Sequence, residues 1–347
     1  MTNPKVSVLM AVYNGERYLQ AALDSILNQT FSDFELVIID DASTDDTAAI
    51  LAACAAQDAR IRLVPNEHNL GLTRSLNKGL HLACGDYIAR QDADDVSMPD
   101  RLAKQVTALD TQADTILVTG HLDLIDEQGE VWRRPRWGGS PPVVAWHLLF
   151  YNYVGGHSQV MFRRRSILDL GGYNEQWRYS QDYELWCRVV HVGDIAFLPD
   201  VLLQWRRHSS SITGQKKLEQ EAYSLMVSGR AQSDLTATPL TIGDMAALRS
   251  FWLRSFPGTD RAAWIHEHLR VLHHAFLERY ETDRPTLAVE LEDLIGQRFF
   301  VWALVTLKSG HLLRALNLFI LAGYWQSLPQ LARQWRQQIR SKVPHEH

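Results

Sequence analysis

Three carboxylates fall within four residues at Asp92-Ala93-Asp94-Asp95, directly after the apolar run Tyr87-Ile88-Ala89. Ionised carboxylates this close repel one another, so the cluster calls for a cation or for raised pKa values. Aspartate oxygens in such an array suit hard cations such as Mg2+ or Mn2+. The same residues also read as a solvated turn, because Ser97, Pro99 and Asp100 follow and can open a helix. A second acidic pair, Asp40-Asp41, ends the apolar run 34–39. Asp182 falls in the first turn of a helix-like stretch behind Ser180, a residue suited to an N-cap, and there it could do no more than complement the helix dipole. His208 lies in the cationic, polar run 206–211 and not on an apolar face, where a lone histidine is usually structural.

The elements that must carry these residues alternate regularly. Residues 6–12 form a short apolar run rich in β-branched side chains, the pattern of a strand buried on both faces. Helical spacing follows over 16–29, a strand over 34–39, a helix from the Asp40-Asp41 turn to about 56, a strand over 61–64, a helix over 72–83, and the strand 87–89. This β-α alternation predicts a doubly wound α/β sheet, whose ligands bind at the carboxyl ends of its strands. Tyr13-Asn14, Asp40-Asp41 and the 92–95 cluster all sit at such ends. Downstream, the pattern predicts a helix over 98–109, a strand over 115–119, a hairpin over 122–132, a loop over the site at 132–142, a short helix over 143–150 and a strand over 157–162. The basic run Arg163-Arg164-Arg165 reads as a helix start or part of an anion site. Two strands, 195–198 and 201–205, follow the Asp182 helix. After about 215 the alternation stops and helices are expected over 217–231, 242–255, 259–280, 285–294, 299–322 and 328–342. The boundary is drawn at 214/215, with a transferase-like domain before it and a helical region after it.

Composition and motifs exclude several classes. The 347 residues include 46% hydrophobic and 22% charged residues, ordinary for a folded domain, and the net charge of −5 gives no basis for a nucleic-acid partner. The first strand-to-helix turn holds only Gly15, not the G-x-G-x-x-G of dinucleotide binding, and no phosphate-cradling Gly-Lys-Ser/Thr follows a strand. A phosphoacceptor receiver domain would also place an Asp pair after a strand, but would leave most of the chain unexplained. Cys54, Cys84 and Cys187 match no metal spacing and point to a reducing, cytoplasmic compartment; no signal peptide is recognisable.

In order, the motifs resemble those of glycosyltransferase family 2, inverting enzymes of GT-A fold. Residues 6–14 resemble its opening strand, Asp40-Asp41-Ala42-Ser43-Thr44-Asp45 its D-D-x-S-x-D element, and Asn69-Leu70-Gly71 and Asn77-Lys78-Gly79 its N-x-G elements. Asp92-Ala93-Asp94-Asp95 resembles its D-x-D metal motif. Gly171-Gly172-Tyr173 and Gln181-Asp182-Tyr183-Glu184-Leu185-Trp186 resemble its G-G-Y and E-D-x-x-L-W elements, with Gln181 replacing the usual glutamate. The resemblance covers about the first 210 residues. It implies a nucleotide-sugar donor, most simply a UDP-sugar, a glycan or lipid-linked acceptor, and Mn2+ or Mg2+. It implies Asp182 as general base, and Asp92, Asp94 and His208 at the metal. Ala11, Tyr13, Asn14, Asp40, Asp41, Arg74 and Asp92 would bind the donor nucleotide, and Asp95, Gln181 and His157 are secondary candidates. The competing class is a non-catalytic nucleotide-sugar-binding protein, which is expected to lack these aspartates.

The helical C-terminal region carries a separate signal. Lys308, His311 and Arg314 recur among Leu312, Leu313, Leu316 and Phe319, and Arg333, Arg336 and Arg340 form a second basic stripe beside Trp335. Such helices suit the membrane surface at the inner face of the plasma membrane, an oligomer contact, or an ordinary solvated face.

Overall fold

The computed structural model describes residues 3–209, 216–280, 284–326 and 330. The chain divides into two compact units, Met1–Leu148 with Asn152–Val227, and Leu149–Tyr151 with Ser228–His347.

The first unit is built on a nine-stranded mixed sheet. Its first four long strands are β1 Val6–Val12, β2 Phe34–Asp40, β3 Ile61–Pro65 and β4 Tyr87–Gln91. The sheet order is β3-β2-β1-β4-β8-β6-β9-β5, and β7 pairs with β6. The later strands are β5 Val96–Ser97, β6 Thr115–Ile125, β7 Val131–Arg133, β8 Met161–Arg163 and β9 Asp194–Arg206. β1 to β4 are parallel, with Val12 level with Asp40 and Met10 level with Gln91. The expected edge therefore forms: Tyr13-Asn14, Asp40-Asp41 and the 92–95 loop leave the sheet on the same side.

Alternation within the strands explains why both faces are covered. Val6, Val8, Met10 and Val12 of β1 join Leu36 and Ile38 of β2 in one core, against α1 Glu16–Leu27, α2 Thr47–Gln57 and α4 Arg101–Thr111. Leu9, Ala11, Val37 and Ile39 join the other, against α3 Leu72–Leu82, α5 Pro141–Leu148, α6 Arg164–Asp169 and α7 Gln181–Val189. Each fully buried Leu, Ile or Val contributes roughly 1.5–3 kcal/mol of hydrophobic stabilisation. Gly79 brings α3 tight against the sheet, since a Cβ there would stand 2.2 Å from the Leu9 Cδ1.

Several expectations are revised. The strand expected over 157–162 begins only at Met161; residues 157–159 form a 3-10 turn whose side chains bond sideways. The strands expected over 195–198 and 201–205 are one strand, β9, with irregular pairing to β6. The helix expected from residue 98 starts at Arg101, because Val96-Ser97 pair with Leu203-Gln204. Ser180 precedes α7 but does not cap it; its φ is +55° and its hydroxyl donates to the Gln220 carbonyl (3.3 Å).

The second unit is helical: the later part of α8 Lys217–Thr236, then α9 Ile242–Trp252, α10 Ala262–Leu277, α11 Arg284–Lys308 and α12 Leu312–Trp325. The unit boundary falls within α8, whereas the sequence-based boundary precedes it. A capping box between Thr241 and Asp244 starts α9. Phe251 packs on Phe299 (4.7 Å) and Trp302 (5.8 Å). The break expected near 295–298 lies instead at 309–311. Gly296 leaves room for Gln326, where a Cβ would approach to 2.3 Å, and Gly310 (φ +82°) provides the left-handed residue that ends α11. Arg333, Trp335, Arg336 and Arg340 lie outside the described residues.

Candidate active site

Asp92 leaves β4 between two partners. Arg90, fully buried, donates to its Oδ1, and Ser158 donates to its Oδ2 (2.7 Å) while accepting from its backbone N–H (2.8 Å). Burial pushes the Asp92 carboxyl up, but Arg90, His157 and Ser158 outweigh it and hold the group below its ordinary value. Behind them a second buried guanidinium, Arg101, donates to the Gln91 Oε1 (3.0 Å), the Arg90 carbonyl (2.7 Å) and the Val160 carbonyl (3.1 Å). Burial lowers Arg101 to about 9. These two cations fix the end of β4 and offset the carboxylates that follow.

The end of β9 closes the loop from the other side. The Asp95 Oδ1 accepts from the Arg206 N–H (2.9 Å), and the Arg206 Nε donates to the Asp94 carbonyl (3.0 Å). The His208 Nε2 stands 2.9 Å from the Asp94 Oδ2, and its ring packs on Tyr18 (4.9 Å). Asp95 is 1% exposed, and burial, then the charges of Asp94 and Asp92, push it well above the usual carboxylate range. Asp95, a secondary candidate from the sequence, thus straps β9 to the loop.

Among the described residues no group of three His, Cys, Asp or Glu is arranged to hold a metal. Of the expected trio, Asp94 and His208 are in direct contact (2.9 Å), while Asp92 accepts from Arg90 and Ser158. One carboxylate and one imidazole, with oxygens of a diphosphate completing the shell, fit Mn2+ or Mg2+.

Asp182 stands at the start of α7. It is half-buried, and the Asn152 Nδ2 donates to its Oδ2 (2.9 Å). Burial raises its carboxyl above the ordinary value; hydrogen bonds from the Tyr183 backbone and Asn152 offset part of this, and the charge of Asp92 adds to the rise. His157 and Tyr173 lie within the same field: the His157 Nε2 is 2.8 Å from the Tyr173 hydroxyl, and burial, then Arg90, lower His157 to about 3. Tyr173 is raised by burial, with Asp182 and Asp92 contributing. Gln181 is buried beside Asp182. The Gly171-Gly172-Tyr173 turn is held twice. Asn77 bonds both sides of the Tyr173 backbone (2.9 and 2.8 Å), and Arg188, paired with Glu184 (2.8 Å), donates to the Gly172 carbonyl.

The expected donor-nucleotide residues divide. Asn14 (φ +51°) accepts from the Thr44 N–H (2.8 Å), and its own N–H donates to the Ser43 hydroxyl (3.0 Å), joining the β1 and β2 ends. Ala11 is 9% and Tyr13 51% exposed on the same strand end, and Asp40 accepts from the Ser43 N–H (3.1 Å). Asp41 is different. It is 3% exposed and takes four donors: the Asn66 Nδ2, the Ser75 hydroxyl, and the backbone N–H groups of Leu70 and Gly71. Its carboxylate holds the 66–71 loop. Arg74 ion-pairs with Glu175 (3.1 Å) on the surface, and no contact joins it to the carboxylate loop. The residues missed from sequence are Arg90, Arg101, Asn152 and Ser158; Tyr173 and Arg206 were noted only as parts of a motif and a basic run. The signal that could have found the first is an arginine inside an apolar strand, since a buried cation demands a buried anion.

Comparison with known proteins gives one direction. The family model for glycosyl transferase family 2 matches residues 7–171. An uncharacterised glycosyltransferase of Haemophilus influenzae is 31% identical over 62% of this chain and 70% of its own length. The amylovoran biosynthesis glycosyltransferase AmsE of Erwinia amylovora is 30% identical over 60% of this chain and 79% of its own. The crystal structure of S. aureus TarS 1-349 in complex with UDP-GlcNAc superposes with a TM-score of 0.56 at 16% identity, covering 92% of this chain and 91% of that one.

Proposed function

The chain belongs to glycosyl transferase family 2 and has the GT-A fold, and from that premise we propose an inverting transfer of sugar from a nucleotide-diphosphate donor, a UDP-sugar, to an acceptor hydroxyl in cell-surface polysaccharide biosynthesis. AmsE supports the pathway class, and the UDP-GlcNAc complex of TarS supports the donor class. The acceptor is a glycan or lipid-linked hydroxyl.

The observation that carries this reading is the half-buried Asp182, held by Asn152, its carboxyl raised by desolvation and by the charge of Asp92. A carboxylate raised above its usual range is a better proton acceptor than an exposed one. Asp182 takes the proton of the acceptor hydroxyl as the oxygen attacks the anomeric carbon. The bond to the diphosphate breaks on the opposite face, so one displacement inverts the centre. Asp92, kept ionised by Arg90, receives the donor's ribose hydroxyls, and Asn14 and Asp40 bound the base. Asp94 and His208 would hold the divalent cation, which supplies Lewis-acid neutralisation of the leaving diphosphate.

Asp182→Asn is expected to bind UDP like the wild type while transfer falls by roughly 10²–10⁴-fold; near-wild-type transfer would remove Asp182 from the base role. Chelation is expected to abolish transfer and Mn2+ to restore it. Asp94→Ala should weaken UDP binding only when Mn2+ is present, and an unchanged titration would reject the metal pair. A wild-type chain that binds UDP-sugars yet transfers to no acceptor and hydrolyses no donor would favour the non-catalytic alternative.

A further inference from the structure

We propose that the outer face of α12 docks on an anionic lipid surface. This helix of the second unit is apolar on two sides. Ala315, Leu318, Ala322 and Trp325 are buried, while Leu312, Leu313, Leu316, Ile320 and Tyr324 are 48–79% exposed. At ~100° per residue the exposed five fall within an arc of roughly 120°, opposite the buried four. A helix that only covers a core is polar on its outer side. A contiguous exposed apolar stripe instead marks an interaction surface.

Charge indicates the occupant. Lys308 and His311 precede the helix, Arg314 lies in its first turn roughly 80° beyond the stripe, and α12 contains no acid. Residues 294–345 hold seven Lys/Arg and no Asp/Glu, in a chain whose net charge is −5. On the neighbouring α10, the Arg270 guanidinium lies over the Tyr324 ring (5.6 Å) and is paired with Glu267 (3.0 Å). Asp260 lines one cavity with Arg314 and Ile320. The chain beyond residue 330, with Arg333, Arg336, Arg340 and Lys342, brings no acid to the stripe before Glu346. An anionic membrane satisfies both features: apolar side chains enter the headgroup boundary and the neighbouring cations meet lipid phosphates. No described helix is long and apolar enough to cross a membrane, so this is contact with the surface. The inference is independent of the transfer chemistry and stands whether or not Asp182 is the base.

The test is co-sedimentation of the full chain with phosphatidylcholine vesicles, with and without phosphatidylglycerol. Pelleting is expected only with phosphatidylglycerol, weakening as salt rises. Leu313→Glu with Ile320→Glu should abolish pelleting while leaving the melting temperature unchanged, because both side chains are exposed. Arg314→Gln should lower partitioning about fivefold, the value of one interfacial cation. Three results would overturn the proposal: no pelleting on anionic vesicles, wild-type pelleting of the double variant, or a wild-type dimer in light scattering that the double variant converts to monomer.

Discussion

In the proposed reaction, the carboxylate that acts as base and the carboxylate that stays ionised are separated by their neighbours. Asp92 has a guanidinium and a hydroxyl on its oxygens; Asp182 has one amide and a half-buried setting. The acid limb of kcat/KM should therefore lie above the ordinary carboxylate range, because Asp182 must be ionised to accept a proton. Asn152→Leu removes a hydrogen bond that favours the ionised form, so the limb should move to still higher pH; an unmoved limb would show that another group titrates there. His157 gives a stability prediction of known sign. Its folded-state value of about 3 is depressed from 6.5, so unfolding takes up a proton between those limits. The stability it contributes is present above pH 6.5 and lost as pH falls, and His157→Gln should flatten that acid-side slope in urea denaturation. The types and order of Asp92, Asp94, Asp182 and His208 were legible in the sequence. The division of labour among the carboxylates was not, because it depends on Arg90, Ser158 and Arg206, which reach them from distant points in the chain.

The parallel strands were legible because a run such as Val6–Val12 is apolar at every position but Ser7, as burial on both faces requires. The 157–159 turn was misread as strand because its backbone neighbours are apolar while its own side chains are committed elsewhere: His157 to Tyr173, Ser158 to Asp92, and Gln159 to Thr119 (2.8 Å). The N-x-G elements prove to be braces. Asp41→Ala would strand four donors and is expected to cost about 3 kcal/mol or more, against about 1 for Asp40→Ala, which frees one backbone N–H. Urea midpoints compare the two directly, and equal losses would contradict the brace. Gly172→Ala should also destabilise, since φ is +72° and the new Cβ would stand 2.8 Å from the Asn77 Oδ1.

Across the molecule, Cys54, Cys84 and Cys187 are free. Dithiothreitol should therefore leave the melting temperature unchanged; a fall would reveal a disulfide. Burial raises the Cys187 thiol, so a thiol reagent at neutral pH should modify the exposed Cys84 first. The change from α/β alternation to helices alone was visible in the sequence, but the unit boundary inside α8 was not, because a continuous helix gives no compositional break. The ties that assemble the site also span long separations: Asn14 to Thr44, Asp41 to Gly71, Asn77 to Tyr173, Asp92 to Ser158 and Asp94 to His208. For chimeras with related transferases, these ties define one recombination block. A crossover between 14 and 208 parts at least one pair almost wherever it falls, so specificity is transplanted more safely by exchanging that block whole than by grafting single loops.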